Sequence, residues 1–146
     1  MSEIHYVRDI IKVEIEGDLV IVTTLKDWTY EAAVEYFKIL DVVRARNEKL
    51  FIISAGNQST KVPNQQIRRM IADWTAKNTF SGMAIYGIAP FMRQLATLIF
   101  NAANMFRRGS AHFVIVKDEA AARRWIEERR AALDAQAPQS TRSPGG

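Results

Sequence analysis

Few side chains in this sequence have the types and the spacing that enzymatic chemistry requires. The chain holds two histidines, His5 and His112, and no cysteine, which excludes disulfides, thiolate nucleophiles and thiolate metal sites. His5 lies near the N-terminus and His112 begins an apolar segment, where a structural role is expected. The sequence contains no HExxH, GxSxG or phosphate-loop motif. We therefore expect a binding protein rather than an enzyme, with no metal and no cofactor.

The carboxylates that can be placed lie mostly on the solvent-facing sides of predicted helices. Asp27, after the second predicted strand, is the exception that could serve a site. It could equally begin the first helical region, where Thr29 competes with it as the helix cap.

A polar loop at residues 55–62 is the first candidate binding segment. It follows an apolar run typical of a buried parallel strand, and the loops at the carboxyl ends of such strands hold the sites of α/β proteins. Pro63 is expected to begin the next helix, whose free N–H groups suit an anion. An ordinary solvated turn is the alternative. The loop's hydrogen-bonding side chains are Asn57, Gln58, Ser59, Thr60 and Lys61.

Residues 90–106 are the second candidate, because they predict a helix with an unusually wide apolar face. Its polar residues occupy an arc of only about 100° on a helical wheel. Neighbouring helices, a second copy of the chain, a small apolar ligand or lipid, or a membrane surface could each cover the apolar flanks. One flank holds Phe91, Leu98 and Met105, the other holds Ala96, Phe100 and Ala103, and Met92 lies within the same face.

The surrounding segment, from Trp74 to Lys117, contains no acidic residue. A segment with basic residues and no acidic ones favours contact with an anionic surface, but the polar arc of the helix has few basic residues. We therefore rank a protein contact or a ligand pocket above membrane insertion. Arg68 and Arg69 share an exposed face, but nearby acidic residues lower its net positive charge. A nucleic-acid partner is therefore not expected.

Hydrophobic patterning predicts the elements that would position these segments. Single helices between strands imply parallel pairing with right-handed crossovers, and a leading hairpin with a turn at Gly17-Asp18 adds an antiparallel pair. The order β-β-α-β-α-β-α-β-α predicts an α/β fold with a mixed five-stranded sheet covered by four helices. Strands are expected at 10–16, 19–25, 50–54, 82–88 and 111–116, and helices at 30–46, from Pro63, at 90–106 and after Asp118.

The length of 146 residues fits one domain of globular composition. We place this domain at residues 8–133, after an N-terminal extension at 1–7 and before a disordered tail at 134–146 that is rich in Pro, Ser, Gly and Gln. The N-terminus does not read as a signal peptide, and no transmembrane segment is expected. The lack of cysteine suits a reducing interior, so we expect a cytoplasmic location.

The order of elements resembles the STAS domain, the anti-sigma-factor-antagonist fold, and is most similar to its SpoIIAA-like branch of small free-standing bacterial proteins. The resemblance covers about residues 8–131. It is carried by LFIISAGN at the third strand and its exit, GMAIYGIAPFMRQLATLIFNAAN at the fourth strand and third helix, and HFVIVKDEAAARRWI at the last strand and helix.

In the signalling members of that family, a serine that follows an aspartate in the loop after the third strand is phosphorylated by a partner kinase. Here the loop at 55–62 offers Ser59 and Thr60 without a preceding aspartate, so the motif is not matched. The resemblance implies a non-enzymatic regulatory or protein-interaction module. The same architecture occurs in CRAL-TRIO lipid carriers, which implies, as the alternative, a carrier or sensor of a small apolar ligand or lipid bound by the helix at 90–106.

Overall fold

Two tight hairpins form the antiparallel edge of the sheet. The computed structural model describes residues 2–106 and 111–141. Its first three strands are β1 (Glu3–Val7), β2 (Ile11–Glu16) and β3 (Leu19–Thr24), and β2 pairs antiparallel with both neighbours. In β2 the three aliphatic residues are buried and the charged residues between them are half-buried, as the alternation predicts.

The sheet of the described residues has six strands, so the expected number of five was wrong. The additional strand is β1, which lies in the segment 1–7 that was expected to be an N-terminal extension. The sequence of β1 lacks the alternation of buried and exposed residues that predicts a strand, because β1 is an edge strand in which only Val7 is buried. Its turn also lacks the usual Asn-Gly signal. Arg8 and Asp9 instead adopt positive φ angles of 52° and 57°.

The parallel half of the sheet follows the expected alternation of strands and helices, which confirms the α/β class. β4 (Phe51–Ala55), β5 (Phe80–Tyr86) and β6 (Ala111–Ile115) extend the sheet from β3 in chain order, and each neighbouring pair is parallel. The strand expected at 82–88 lies slightly earlier. Gly87 adopts a φ of 74° and turns the chain after β5.

The four helices divide unequally between the two faces of the sheet. They are α1 (Tyr30–Arg46), α2 (Gln65–Lys77), α3 (Pro90–Phe106) and α4 (Glu119–Thr141). Side chains of α1, α2 and α3, such as Trp74 and Phe100, share one core, whereas Ile126 of α4 belongs to the other. Because successive side chains of a strand point to opposite faces, Ile52 belongs to the first core and Ile53 to the second.

Side-chain caps fix where helices α1 and α4 begin. The N–H of Ala32 donates to Thr29 Oγ1 at 3.2 Å, and the N–H of Ala121 donates to Asp118 Oδ1 at 2.8 Å. These bonds satisfy N–H groups that a helix leaves free in its first turn. The expected cap at Asp118 is thus confirmed, and Thr29 rather than Asp27 caps α1.

Helix α2 begins later than expected. Asn64 is its N-cap and accepts a hydrogen bond from the N–H of Ile67 at 2.9 Å. Pro63 therefore precedes the cap and is not the first helical residue. The side chain of Asn64 supplies the acceptor that a first turn needs, and proline has none to offer.

Helix α4 continues to Thr141 and so passes the domain end expected at residue 133. Beyond that point Asp134 accepts a hydrogen bond from Lys49 Nζ at 2.9 Å, which joins the helix to the segment before β4. The disordered tail was expected to reach the last residue, and its residues 142–146 lie outside the described residues.

Candidate functional site

A cavity of about 150 Å³ lies between the sheet and the helices α1, α2 and α3, and we call it the inner chamber. Nearly all of its lining is apolar. Its floor is formed by strand residues Val22, Ile52, Ser54, Met83 and Ile85. Its walls are formed by Trp28, Tyr36, Phe37, Leu40, Pro63, Ile71, Trp74, Thr75, Ile88, Met92, Leu95, Ala96, Ile99 and Phe100.

The register of the sheet aligns the floor of the inner chamber across three strands. Val22 pairs with Ser54 and Ser54 pairs with Ile85, so these side chains form one row on the same face. Ile52 pairs with Met83 in the neighbouring row. The floor is therefore apolar except at Ser54.

Aromatic rings form the wall of the inner chamber nearest α1 and α2. The ring centroids of Trp28 and Tyr36 lie 5.4 Å apart, those of Tyr36 and Phe37 lie 5.1 Å apart, and those of Phe37 and Trp74 lie 5.5 Å apart. The indole N–H of Trp74 also donates to Asp41 Oδ1 at 2.9 Å. Contacts within the protein thus orient this wall.

Three hydroxyl groups of the lining, those of Tyr36, Ser54 and Thr75, form no hydrogen bond with another described residue. Tyr36 is only 5% exposed, and burial raises the pKa of its phenol further above neutral pH. No side-chain oxygen of the described residues is both fully buried and without a partner, so these hydroxyls keep some access to solvent. A molecule in the chamber could therefore bond to them.

A second cavity of about 160 Å³, which we call the outer chamber, adjoins the inner chamber at the carboxyl ends of β3 and β4. This is the edge at which α/β sheets place their sites. Six residues line both chambers: Trp28, Ser54, Pro63, Ile71, Ile88 and Met92. The outer chamber adds Thr24, Gly56, Asn57, Thr60, Lys61 and Ala89 and is therefore the more polar of the two.

The loop after β4 folds around Asn57. Its Oδ1 accepts hydrogen bonds from the N–H of Ser59 at 3.0 Å and from the Ser59 hydroxyl, and its carbonyl accepts from the Thr60 hydroxyl at 2.6 Å. The N–H of Lys61 donates to Asp27 Oδ1 at 2.7 Å. Asp27, which the sequence singles out, thus fixes the loop.

Gly56 places this loop against the chain that leaves β5. Its N–H donates to the Tyr86 carbonyl at 2.8 Å. A Cβ at Gly56 would lie 2.9 Å from the carbonyl oxygen of Gly87 and would also collide with Ile88. Because Ile88 lines both chambers, the absence of a side chain at Gly56 sets how closely the loop approaches the start of α3.

The predicted loop residues divide into two groups. Asn57, Thr60 and Lys61 line the outer chamber, whereas Gln58 and Ser59 do not. The sequence cannot separate the groups because all five side chains are polar. Gln58, Ser59 and Lys61 are exposed, so exposure does not separate the two groups either.

One flank of the apolar face on α3 is covered. Phe100 is 5% exposed, and its ring centroid lies 5.9 Å from that of Phe80 and 4.7 Å from that of Phe113. Met92 is half-buried and lines both chambers. This side of the helix therefore serves the core and the chambers.

The opposite flank of α3 is exposed. Phe91, Leu98 and Met105 are 61%, 68% and 87% exposed, and we call them the exposed row. They lie seven residues apart, so they follow one side of the helix. The apolar face expected from the sequence is thus split between a buried part and a surface part.

Sequence reasoning missed the residues that α1 and the segment before it bring to the chambers. Trp28 reads as an ordinary core residue and Tyr36 as part of an apolar helix stripe. Ser54 did offer a signal, since it is the one polar residue of an apolar run and lies on the same face as Ile52.

Other candidate groups lie away from the chambers. His5 is exposed in β1, 3.4 Å from Glu3 Oε2, and His112 is half-buried in β6. The described part of the chain contains no cluster of three or more potential metal ligands. Among those same residues, no helix is long and apolar enough to cross a membrane.

No family model, no curated protein and no solved structure matches this chain.

Substituting phenylalanine by alanine on each flank of α3 should separate the covered side from the exposed side. Phe100→Ala removes a core ring, and we expect the free energy of unfolding to fall by about 3–5 kcal/mol. Phe91→Ala, the matched control in the same helix, should change it by no more than about 0.5 kcal/mol. Urea unfolding followed by circular dichroism measures both. Equal losses in the two variants would contradict the assigned faces.

Proposed function

We propose that this protein binds a small apolar molecule in the inner chamber and acts by binding, without catalysis. The observation that carries the proposal is the apolar cavity of about 150 Å³ between the sheet and three helices. An engineered apolar cavity of about 150 Å³ in another protein binds benzene. The inner chamber therefore suits one aromatic ring or a short alkyl chain.

The packing of the chamber supports this proposal. Protein interiors are normally packed as densely as organic crystals. The apolar side chains around the inner chamber lack packing partners on the side that faces the cavity. A bound apolar molecule would restore the dispersion contacts that the lining side chains lose.

The chemistry of the lining supports binding rather than reaction. Within the described residues, Lys61 is the only charged side chain that lines either chamber, and no histidine or carboxylate does so. Histidine and carboxylates are the commonest general acids and bases, and the only titratable residues that line the chambers within the described residues are Tyr36 and Lys61. The aromatic and aliphatic walls instead suit the recognition of shape.

A STAS-like, SpoIIAA-like assignment is part of the same proposal. The mixed sheet with helices between its parallel strands, and the polar loop after β4, support the assignment. The sixth strand departs from the expected pattern. The STAS-like assignment by itself favours a regulatory or protein-interaction module in the cytoplasm, and the role of carrier or sensor rests on the architecture shared with CRAL-TRIO lipid carriers.

Filling the inner chamber should weaken the binding of benzene, a probe of matching size. We expect saturating benzene to raise the unfolding temperature of the wild-type protein, because a ligand that binds only the folded state stabilises it. Ala96→Leu adds bulk to the chamber wall and should remove that shift. Ala102→Leu, an exposed position on the same helix, should keep it. Differential scanning calorimetry in a sealed cell measures the shift.

An unchanged unfolding temperature of the wild-type protein at saturating benzene would contradict the proposed function. An equal shift in Ala96→Leu would show that benzene binds elsewhere.

A second candidate function is that of a protein-interaction module that uses the exposed row. Three large, exposed apolar side chains follow one side of the helix, and exposed apolar surface is a mark of protein contacts. Helix α3 carries one charged residue, the exposed Arg93, so few like charges would oppose the pairing of two copies. The proposed partner is a second copy of this chain.

A charge in the exposed row should disrupt such a dimer. We expect the wild-type protein to sediment as a dimer at micromolar concentration and Leu98→Asp to sediment as a monomer, because pairing would bury the carboxylate. Val42→Asp, at an exposed aliphatic position on α1, is the matched control and should remain dimeric. A monomeric wild-type protein in sedimentation velocity would rule out this second candidate.

A further inference from the structure

The two chambers differ in polarity, and together they form one amphipathic space. The inner chamber is lined by apolar side chains with few hydroxyls, whereas the outer chamber adds Thr24, Asn57, Thr60 and Lys61. Ser54 lines both chambers and so lies where they meet. A ligand that fits both would have an apolar end and a polar end.

We propose that the ligand is a small monocarboxylate whose apolar end lies in the inner chamber and whose carboxylate lies in the outer chamber near Lys61. This inference rests on the proposed function and names the chemical class of the ligand. A small aromatic acid and a short aliphatic acid share this chemistry.

The charge of Lys61 favours a ligand with a carboxylate over one with a neutral or cationic end. Lys61 is exposed and is the only charged residue that lines the chambers within the described residues, and it forms no ion pair with another described residue. The carboxylate of Asp27 accepts the backbone N–H of Lys61 at 2.7 Å, and Asp27 lines neither chamber. A charge-assisted hydrogen bond to Lys61 is therefore available to an anion.

Hydrogen-bond donors beside Lys61 match a carboxylate, which has only acceptors. The Ser54 hydroxyl has no partner within the described residues. The Thr24 hydroxyl accepts the indole N–H of Trp28 at 3.1 Å and keeps its own proton to donate. The Thr60 hydroxyl already donates its proton to the Asn57 carbonyl. Ser54 and Thr24 are thus the two neutral donors that a carboxylate would use.

The start of α3 adds backbone donors to the same place. The Ala89 carbonyl accepts the N–H of Arg93 at 3.0 Å, so Ala89 occupies the N-cap position and has no polar side chain to cap the first turn. Met92, in that turn, lines both chambers. Free N–H groups and the helix dipole at this end favour an anion.

The volume of the inner chamber limits the apolar end to a single ring or about six carbons, by comparison with the roughly 150 Å³ cavity that holds benzene. A long-chain fatty acid would exceed it. Hexanoate and benzoate are therefore the matched probes, and 1-hexanol and hexylamine are the neutral and cationic counterparts of hexanoate.

Isothermal titration calorimetry at neutral pH tests the inference on the full chain. We expect hexanoate to bind the wild-type protein about tenfold more tightly than 1-hexanol does, since a hydrogen bond to a charged group is worth at least that factor. Hexylamine should bind more weakly than 1-hexanol. Lys61→Met should bring the affinity for hexanoate down to that for 1-hexanol and leave the affinity for 1-hexanol unchanged.

The matched control is Lys38→Met, which removes the same charge from an exposed position on α1 that lines neither chamber. It should leave hexanoate binding unchanged. Ser54→Ala should weaken hexanoate more than 1-hexanol.

The outcomes separate this inference from the proposed function. If 1-hexanol binds as tightly as hexanoate, or if Lys61→Met and Lys38→Met weaken hexanoate equally, the carboxylate inference is overturned while the binding function stands. If neither hexanoate, 1-hexanol nor benzene binds the wild-type protein, the binding function itself fails.

Discussion

Strand β4 must be covered on both faces, and the rest of the structure depends on this constraint. Phe51, Ile52 and Ile53 are all fully buried, although successive side chains of a strand point to opposite faces. Helix α4 covers the Phe51 and Ile53 side by direct packing through Ile126. The Ile52 side is covered by α1, α2 and α3, which meet around the inner chamber. The cavity therefore lies on the face of the sheet that three helices cover, and not on the face covered by α4 alone.

The order of the strands determines where this cavity opens. β3, β4 and β5 run parallel, so their carboxyl ends share one edge of the sheet. The loop after β4 and the start of α3 meet there, held close because Gly56 has no side chain to separate them from Ile88. Asp27 fixes the same loop through the N–H of Lys61. An apolar interior and a polar opening therefore follow from the topology and a few loop contacts.

Much of the fold could be predicted from the sequence, because periodicity reports which side of an element is buried. The bounds of α3 and the cap at Asp118 illustrate this. Strand β1 could not be predicted, since an exposed edge strand has no buried alternation. A helical wheel also treats Leu98 and Phe100 alike, and only the neighbouring strands decide which one is buried. The inner chamber could not be predicted at all, because it is a space between elements distant in the chain.

Intermolecular nuclear Overhauser effects between benzene and methyl-labelled protein test the occupancy of the inner chamber most directly. Ile52 and Met83 line its floor, whereas Met105 lies in the exposed row. We predict effects from the benzene protons to the methyl groups of Ile52 and Met83 and none to Met105. Effects confined to Met105 and Leu98 would contradict the assignment of the inner chamber as the ligand site and would place the apolar contact on the surface of α3.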